Sequence, residues 1–304
     1  AYIQLSRGEA TVPVRLVLDV PEHDAVVLYM PAYLPRSGGL GAKIATVFPH
    51  NPEAGLPTIY ALLVVNDAHS GAPLAVMEAG YLTALRTGAA SGVATRLLAR
   101  PDAHVVAILG AGDQGRTQLE GVCAVRDINQ VWVYDMNAEF AQRFALEMSK
   151  RGGRIPHDIR VASSSREAVR DADVICTATT SKSPVFADAD LKAGAHINGI
   201  GSYSHKRQEI PGETVRRARV VVDSVAACLA EAGDLIIPLN QGLITPKHLA
   251  TEIGQVAAGI QPGRTSPEQI TFFKSVGNAV QDISVAQIIL QRAAKLGLGT
   301  EVEL

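Results

Sequence analysis

Aromatic side chains are scarce in this chain, at 5% of 304 residues with a single tryptophan, and no basic cluster interleaves with them. That removes the usual signature of a nucleic-acid surface. An excess of either charge is also lacking. The net charge of −2 gives no electrostatic reason to expect nucleic acid or an anionic membrane as partner. No apolar run reaches membrane-spanning length and no signal peptide is visible. The cysteines, Cys123, Cys176 and Cys228, are odd in number and far apart, which excludes a disulfide framework. They read as buried free thiols in a reducing compartment, so the expected location is cytoplasmic. The histidines show no H-x-H, H-E-x-x-H or Cys/His spacing, and no metal site is expected. Neither an internal repeat nor a low-complexity segment is present. What remains is 47% hydrophobic and 19% charged, a compact chain long enough for two domains.

The stretch that is most informative runs over 104–135. Residues 105–109 are wholly apolar and rich in β-branched side chains, as in a parallel strand buried on both faces. Gly110-Ala111-Gly112-Asp113-Gln114-Gly115 follows at once in the pattern G-x-G-x-x-G. Gly110 permits the tight turn, Gly112 lets a phosphate approach the backbone, and Gly115 allows close helix–strand packing. A helix over 114–125 would face a pyrophosphate with its N-terminal N–H groups and its dipole. A strand over 131–134 ends in Asp135, about 20 residues after Gly115, where a carboxylate takes the adenosine ribose hydroxyls. Taken in that order, these features predict a dinucleotide site rather than a glycine-rich turn in an unrelated α/β protein. A carboxylate at 135 would repel a 2′-phosphate, which favours NAD over NADP. Arg143 reads as a surface helix residue rather than a phosphate clamp.

The flanks differ in character. Residues 1–10 look like the tail of a helix, and a start at Ala1 leaves room for native residues before it. Strands are expected over 11–20, 25–30 and 42–48, with Pro31-Ala32-Tyr33-Leu34-Pro35 as a break. Segments 59–66 and 73–77 flank a polar turn and predict an antiparallel hairpin. A helix is expected over 80–99, ended by Pro101-Asp102. From His104 strands (159–162, 174–177, 195–200, 219–223) alternate with helices (138–149, 165–170, 226–232, 252–258), which predicts a parallel, doubly wound Rossmann-type sheet. Ligands sit beyond the carboxyl ends of such strands, so Thr177, Ile200–Tyr203 and Asp223 are site candidates from topology. A last amphipathic helix is expected over 278–295. The fold class is α/β: the Rossmann-type domain over 101–277, plus an α+β domain over 1–100 and 278–304.

Two cations stand in small or apolar surroundings: Lys43 in Gly41-Ala42-Lys43-Ile44-Ala45, and Arg86 in Ala84-Leu85-Arg86-Thr87-Gly88. Either they bind a substrate carboxylate or they are solvated surface cations. Arg15 is a weaker candidate. A buried lysine with a lowered pKa could also move a proton. No Ser-His-Asp or Cys-His arrangement can be read.

Residues 43–51 (KIATVFPHN), 73–78 (PLAVME), 83–91 (TALRTGAAS), 198–202 (NGIGS) and 273–277 (FKSVG) together resemble the ornithine cyclodeaminase/mu-crystallin family. The resemblance covers nearly the whole chain, and the Thr-Ala-x-Arg-Thr-Gly-Ala block is its most specific part. It implies a homodimer whose 1–100 domain, completed by the C-terminal helix, pairs subunits and binds a small amino or imino acid. It implies Lys43 and Arg86 as catalytic, carboxylate-binding cations, with Arg15 as a further substrate-binding cation upstream of them. NAD contacts are implied at Thr58, Thr87, Asp113, Gln114, Asp135, Thr177, Ser275 and Val276, beside the turn glycines Gly110, Gly112 and Gly115. The Ile200-Gly201-Ser202-Tyr203 turn would lie beside the nicotinamide. Cyclodeaminase members, and the archaeal alanine dehydrogenase type, carry an Asp in that turn and mu-crystallin a Ser; this chain has Tyr203, and a phenol supplies no negative charge at neutral pH. The expected activity is therefore NAD-dependent oxidoreduction of a small amino acid and its imine or keto acid. Ornithine or lysine cyclodeamination, and non-catalytic ligand binding, stand as alternatives. Tyr203 is either a substrate contact or a packing residue.

Overall fold

The computed structural model describes residues 1–303, the side chain of Pro52 excepted. The first elements are α1 (Tyr2–Ser6), β1 (Leu16–Val20), β2 (Ala25–Leu34), β3 (Gly39–Val47), β4 (Ile59–Asp67), β5 (Pro73–Glu78) and α2 (Gly80–Leu98). Then follow β6 (Val105–Leu109), α3 (Asp113–Cys123), β7 (Gln130–Tyr134), α4 (Ala138–Met148), β8 (Ile159–Val161), α5 (Ser165–Val169), β9 (Val174–Thr177) and β10 (His196–Gly199). The last are α6 (Gly212–Arg217), β11 (Arg219–Val222), α7 (Val225–Glu231), α8 (Gly233–Asn240), α9 (Ile253–Ala257), β12 (Thr271–Lys274) and α10 (Ala279–Leu296). None of the helices is long and apolar enough, among the described residues, to cross a membrane.

The chain divides into two compact units, Ala1–Arg86 with the segment from Asn278 onward, and Thr87–Gly277. The first holds a five-stranded antiparallel sheet in the order β1-β2-β3-β4-β5. One face packs under α10 through Met30, Ala32, Leu34, Leu63 and Val65 against Val280, Ile283 and Ala286. Side chains on a strand alternate between faces, so Gly39, Gly41, Lys43 and Ala45 of β3 all face α10. The two glycines let the helix lie close: a Cβ at either would press on the Ile283 side chain. The second unit is a seven-stranded parallel sheet, β11-β12-β10-β9-β6-β7-β8. Val106, Ile108, Val131, Val133 and Cys176 pack on one face. Ala107, Leu109, Ile175, Ile197 and Phe272 pack on the other. Both faces are covered, which is why these strands read as unbroken apolar runs. Strand order reverses between β6 and β9, and that switch point is where the fold takes ligands.

Three expectations need correction. Pro31 does not break β2, which runs on to Leu34 in register with β3. Tyr33 exchanges backbone hydrogen bonds with Thr11. Because backbone N–H groups two residues apart face the same side, Pro31 aims its missing donor at the gap between that bridge and β1, where no ladder bond is lost. Secondly, β1 begins only at Leu16, and Thr11 makes an isolated bridge. Thirdly, α6, α8 and the interior strand β12 were not foreseen. The division between units also falls inside α2 at Arg86/Thr87, before the break expected near Pro101. Past that point α2 packs on α3 nearly backbone to backbone: a Cβ at Gly88 would strike the Thr117 carbonyl, and one at Gly92 the Gly121 carbonyl.

Candidate active site

In the first unit, Lys43 comes from the α10-facing row of β3 and is 1% exposed. Its Nζ lies 2.8 Å from Asp282 Oδ2 and donates to Thr83 Oγ1 at 3.3 Å. Arg86 Nε lies 2.9 Å from Asp282 Oδ1, and a guanidinium nitrogen donates to Gln281 Oε1 at 3.0 Å. Gln281 Nε2 donates in turn to the Arg86 carbonyl at 3.3 Å. Thr83 and Arg86 are three residues apart on α2 and so share a face. Asp282 and Gln281 come from the first turn of α10. Burial pulls the Lys43 ammonium down to about 8; Asp282 works against that, and Arg86 and Arg15 work with it. Two cations face one carboxylate, so the cluster carries a surplus positive charge in a water-poor setting. That is the electrostatics of a site for a ligand carboxylate. Arg15 is half-buried on the approach to β1. Thr58 stands apart: its carbonyl accepts the N–H of Phe48, one residue past the end of β3, about 17 Å along the extended chain from Lys43 at ~3.4 Å per residue.

In the second unit, Gly110 has φ +102°, and a Cβ there would lie 2.6 Å from the Ala178 carbonyl oxygen. A Cβ on Gly115 would strike the Gly110 carbonyl. Gly112 caps α3, and a Cβ there would meet nothing within 4 Å. Glycine is thus required at two positions by the fold, and at the third by nothing among the described residues. Asp113 is exposed and Gln114 half-buried, with Gln114 Oε1 buried and without a hydrogen-bond partner among the described residues. Asp135 accepts the Ala111 N–H on one oxygen and the Asn137 N–H on the other, both at 2.9 Å. An open helix N-terminus, an unserved acceptor and a fixed carboxylate fit a pyrophosphate and a ribose. Arg143 is exposed, with its guanidinium 5.0 Å from the Phe140 ring centroid.

Beyond the switch point the candidates turn inward. Thr177 Oγ1 donates to Glu209 at 2.9 Å. The Gly201 N–H donates to the same carboxylate at 2.7 Å, and Ser202 Oγ to the Arg207 carbonyl at 2.6 Å. Ile200 is buried, and its N–H donates to the Thr177 carbonyl. Asp223 collects the Ser275 hydroxyl at 2.7 Å and the Val276 N–H at 3.0 Å. Tyr203 is half-buried with the Arg207 guanidinium 5.1 Å above its ring, while His205 is exposed. Thr87 is buried in α2. The three cysteines are buried and unpaired; burial pushes Cys123 and Cys176 up to about 12, which leaves them inert as nucleophiles. Sequence reasoning missed Asp282, Gln281 and Thr83 beside the cations, and Glu209 and Asp234 beneath the loops. Of these, Asp282 carried a faint signal, an acid amid buried helix positions.

These features define a dinucleotide-binding α/β protein whose other unit holds a buried cluster of two cations on one carboxylate. The chain belongs to the ornithine cyclodeaminase/mu-crystallin family, whose model matches residues 1–296. It is 39% identical, over its whole length and 92% of the relative, to a Δ1-pyrroline-2-carboxylate reductase of Bacillus cereus. Among solved structures it is similar to the Δ1-pyrroline-2-carboxylate reductase of Thermococcus litoralis in complex with NADH and L-proline. The identity there is 43% and the TM-score 0.95, covering 99% of this chain and 92% of that one. An archaeal alanine dehydrogenase dimer with bound NAD matches at 35% identity and TM-score 0.93, covering 100% and 91%.

Proposed function

We propose that this protein is an NAD-dependent oxidoreductase that interconverts a small cyclic imino acid, of the pyrroline-2-carboxylate kind, with its amino acid. The observation that carries the reading is the buried Lys43–Asp282–Arg86 cluster in a chain that also holds a complete dinucleotide turn. The relatives named above, two reductases and an NAD-bound dehydrogenase, support it. Lys43 and Arg86 hold the substrate carboxylate, and Asp282 keeps the two cations together. Lys43, brought down to about 8, is close enough to neutrality to give or take the proton at the ring nitrogen, directly or through one water. The glycine turn, α3 and Asp135 hold the cofactor, which when bound supplies or accepts the hydride at the α-carbon. Alanine dehydrogenation uses the same clamp and is the second substrate class to assay.

The protein is further proposed to act as a cytoplasmic homodimer. The face of the five-stranded sheet turned away from α10 exposes Leu16, Leu18, Tyr29, Leu62, Leu74 and Val76. An open apolar face of this kind suits pairing with a second copy. The first assay follows NADH absorbance with pyrroline-2-carboxylate, piperideine-2-carboxylate, and pyruvate with ammonia or methylamine, beside L-ornithine with NAD and an ammonia assay. NADH consumption on the ketimines is the expected outcome. Ammonia from ornithine without lasting NADH would overturn the reading in favour of a cyclodeaminase.

A further inference from the structure

Glu209 lies between β10 and α6, fully buried, and plays no part in the cation cluster or the glycine turn. Its Oε1 accepts the Thr179 N–H at 2.6 Å and the Thr179 hydroxyl at 2.7 Å. Its Oε2 accepts the Gly201 N–H at 2.7 Å and the Thr177 hydroxyl at 2.9 Å. One carboxylate therefore joins the loop leaving β9 to the turn leaving β10. The join leaves no spare room, since a Cβ on Gly201 would collide with the Thr179 carbonyl and crowd Glu209 Oε1. Glu209 is itself anchored. Its N–H and that of Ile210 donate to Asp234 Oδ1 at 2.6 and 3.0 Å. Asp234 Oδ2 pairs with Lys274 Nζ at 3.0 Å, and Lys274 Nζ donates to the Gly199 carbonyl at 3.1 Å. Both joined segments lie across the switch point from Asp135, where the second nucleotide of a dinucleotide sits in this architecture.

We propose that Glu209 is a positioning residue for the nicotinamide half of the cofactor, fixing the β9 and β10 loops in their binding arrangement before the cofactor arrives. The inference rests on the dinucleotide reading above. Loops already ordered lose less entropy on binding, so a buried tie of this kind strengthens affinity at the end of the ligand it serves. Each carboxylate oxygen receives one backbone N–H, which cannot turn round. Burial and the Asp234 carboxylate push Glu209 upward, yet either protonation state serves both donors, because a carboxyl oxygen still accepts. An amide nitrogen does not. Glu209→Gln keeps the shape and leaves one loop N–H unserved.

The test titrates purified Glu209→Gln with NADH, by nicotinamide fluorescence, and with ADP-ribose, by calorimetry. ADP-ribose shares the adenosine and pyrophosphate but lacks the nicotinamide. The NADH Kd is expected to rise about tenfold, the scale of one unserved buried donor, while that of ADP-ribose changes less than about twofold on the same scale. Thr179→Val removes one hydroxyl donor and spares both backbone N–H groups. It is expected to weaken NADH about threefold, and it decides the matter if Glu209→Gln does not fold. Unchanged NADH affinity in the folded variant, or equal weakening of both ligands, overturns the proposal. A wild-type protein that binds neither ligand refutes the dinucleotide reading instead.

Discussion

Lys43 is a lysine held at the edge of its charge. Below about pH 8 it is protonated and attracts a carboxylate; above, it is neutral and does not. The affinity of a planar carboxylate such as pyrrole-2-carboxylate is therefore expected to fall as pH rises through about 8. Asp282 is the group that raises Lys43. Asp282→Asn removes that support while Arg86 and Arg15 go on lowering it, so the break is expected at lower pH. Inhibition constants measured from pH 6 to 10 check both sign and position, and a break that stays put would free Lys43 from Asp282. The duty proposed for Arg86 is different. Arg86→Met is expected to abolish turnover while leaving NADH affinity within about twofold, a shift of under ~0.5 kcal/mol. Equal loss of both would refute its role as carboxylate clamp. At this scale the sequence was partly legible. Lys43 and Arg86 stood out because charged residues rarely sit among small apolar ones. Asp282 did not, since an acid in the first turn of a helix usually means only a favourable end of the dipole. Its partners are distant in sequence and meet it only through the sheet–helix packing.

The glycine turn shows how an element divides its residues between fold and ligand. Gly115 is required by the protein, because a Cβ would strike the Gly110 carbonyl and touch Ile108. Gly112 faces open space at the N-terminus of α3, with φ of −81° that any residue adopts. Gly115→Ala is thus expected to destabilise the fold by about 1–3 kcal/mol through overpacking. Gly112→Val is expected to cost about 1 kcal/mol or less in stability and to lower NADH affinity at least tenfold, about 1.4 kcal/mol. Urea melts set beside NADH titrations separate the two, and normal NADH binding by Gly112→Val would remove the phosphate from that space. Elements such as β6 and β9 were readable because a strand covered on both faces is apolar throughout. By contrast β12 was not. Thr271-Phe272-Phe273-Lys274 ends in a lysine, and a charge argues against an interior strand until its partner is seen. That partner, Asp234 on α8, supplies an ion pair that is fully buried on both sides. Pro31 misled for a related reason: its cost depends on which side of β2 has a neighbour, and the sequence does not show sides.

For the whole molecule, packing turns on the sheet face left bare by α10. One row across it, Leu16, Tyr29, Ile44 and Leu62, is set by the registers of β1 to β4. Leu16 is 65% exposed and its neighbour in the row, Tyr29, 38%, and such side chains would lie side by side in water if the chain acted alone. Alternation within each strand explains why the segments looked like ordinary half-buried strands: nothing in a period of two says whether the second face meets solvent or another copy. A homodimer through this face buries the row at about 25 cal/mol per Å² of apolar area. Replacing Leu62, on β4 at the far end of this row from Leu16, by lysine sets two charges into such an interface, related by its two-fold axis. If the proposed dimer forms through this face, Leu62→Lys is expected to convert it to monomer in sedimentation velocity. The same change on a sheet face that met only water would leave both mass and stability within about 0.5 kcal/mol of wild type. NADH titration of the resulting monomer then separates assembly from cofactor binding. The glycine turn, Asp135 and the Glu209 tie all lie within Thr87–Gly277 of one chain, so NADH affinity is expected to survive the loss of the partner.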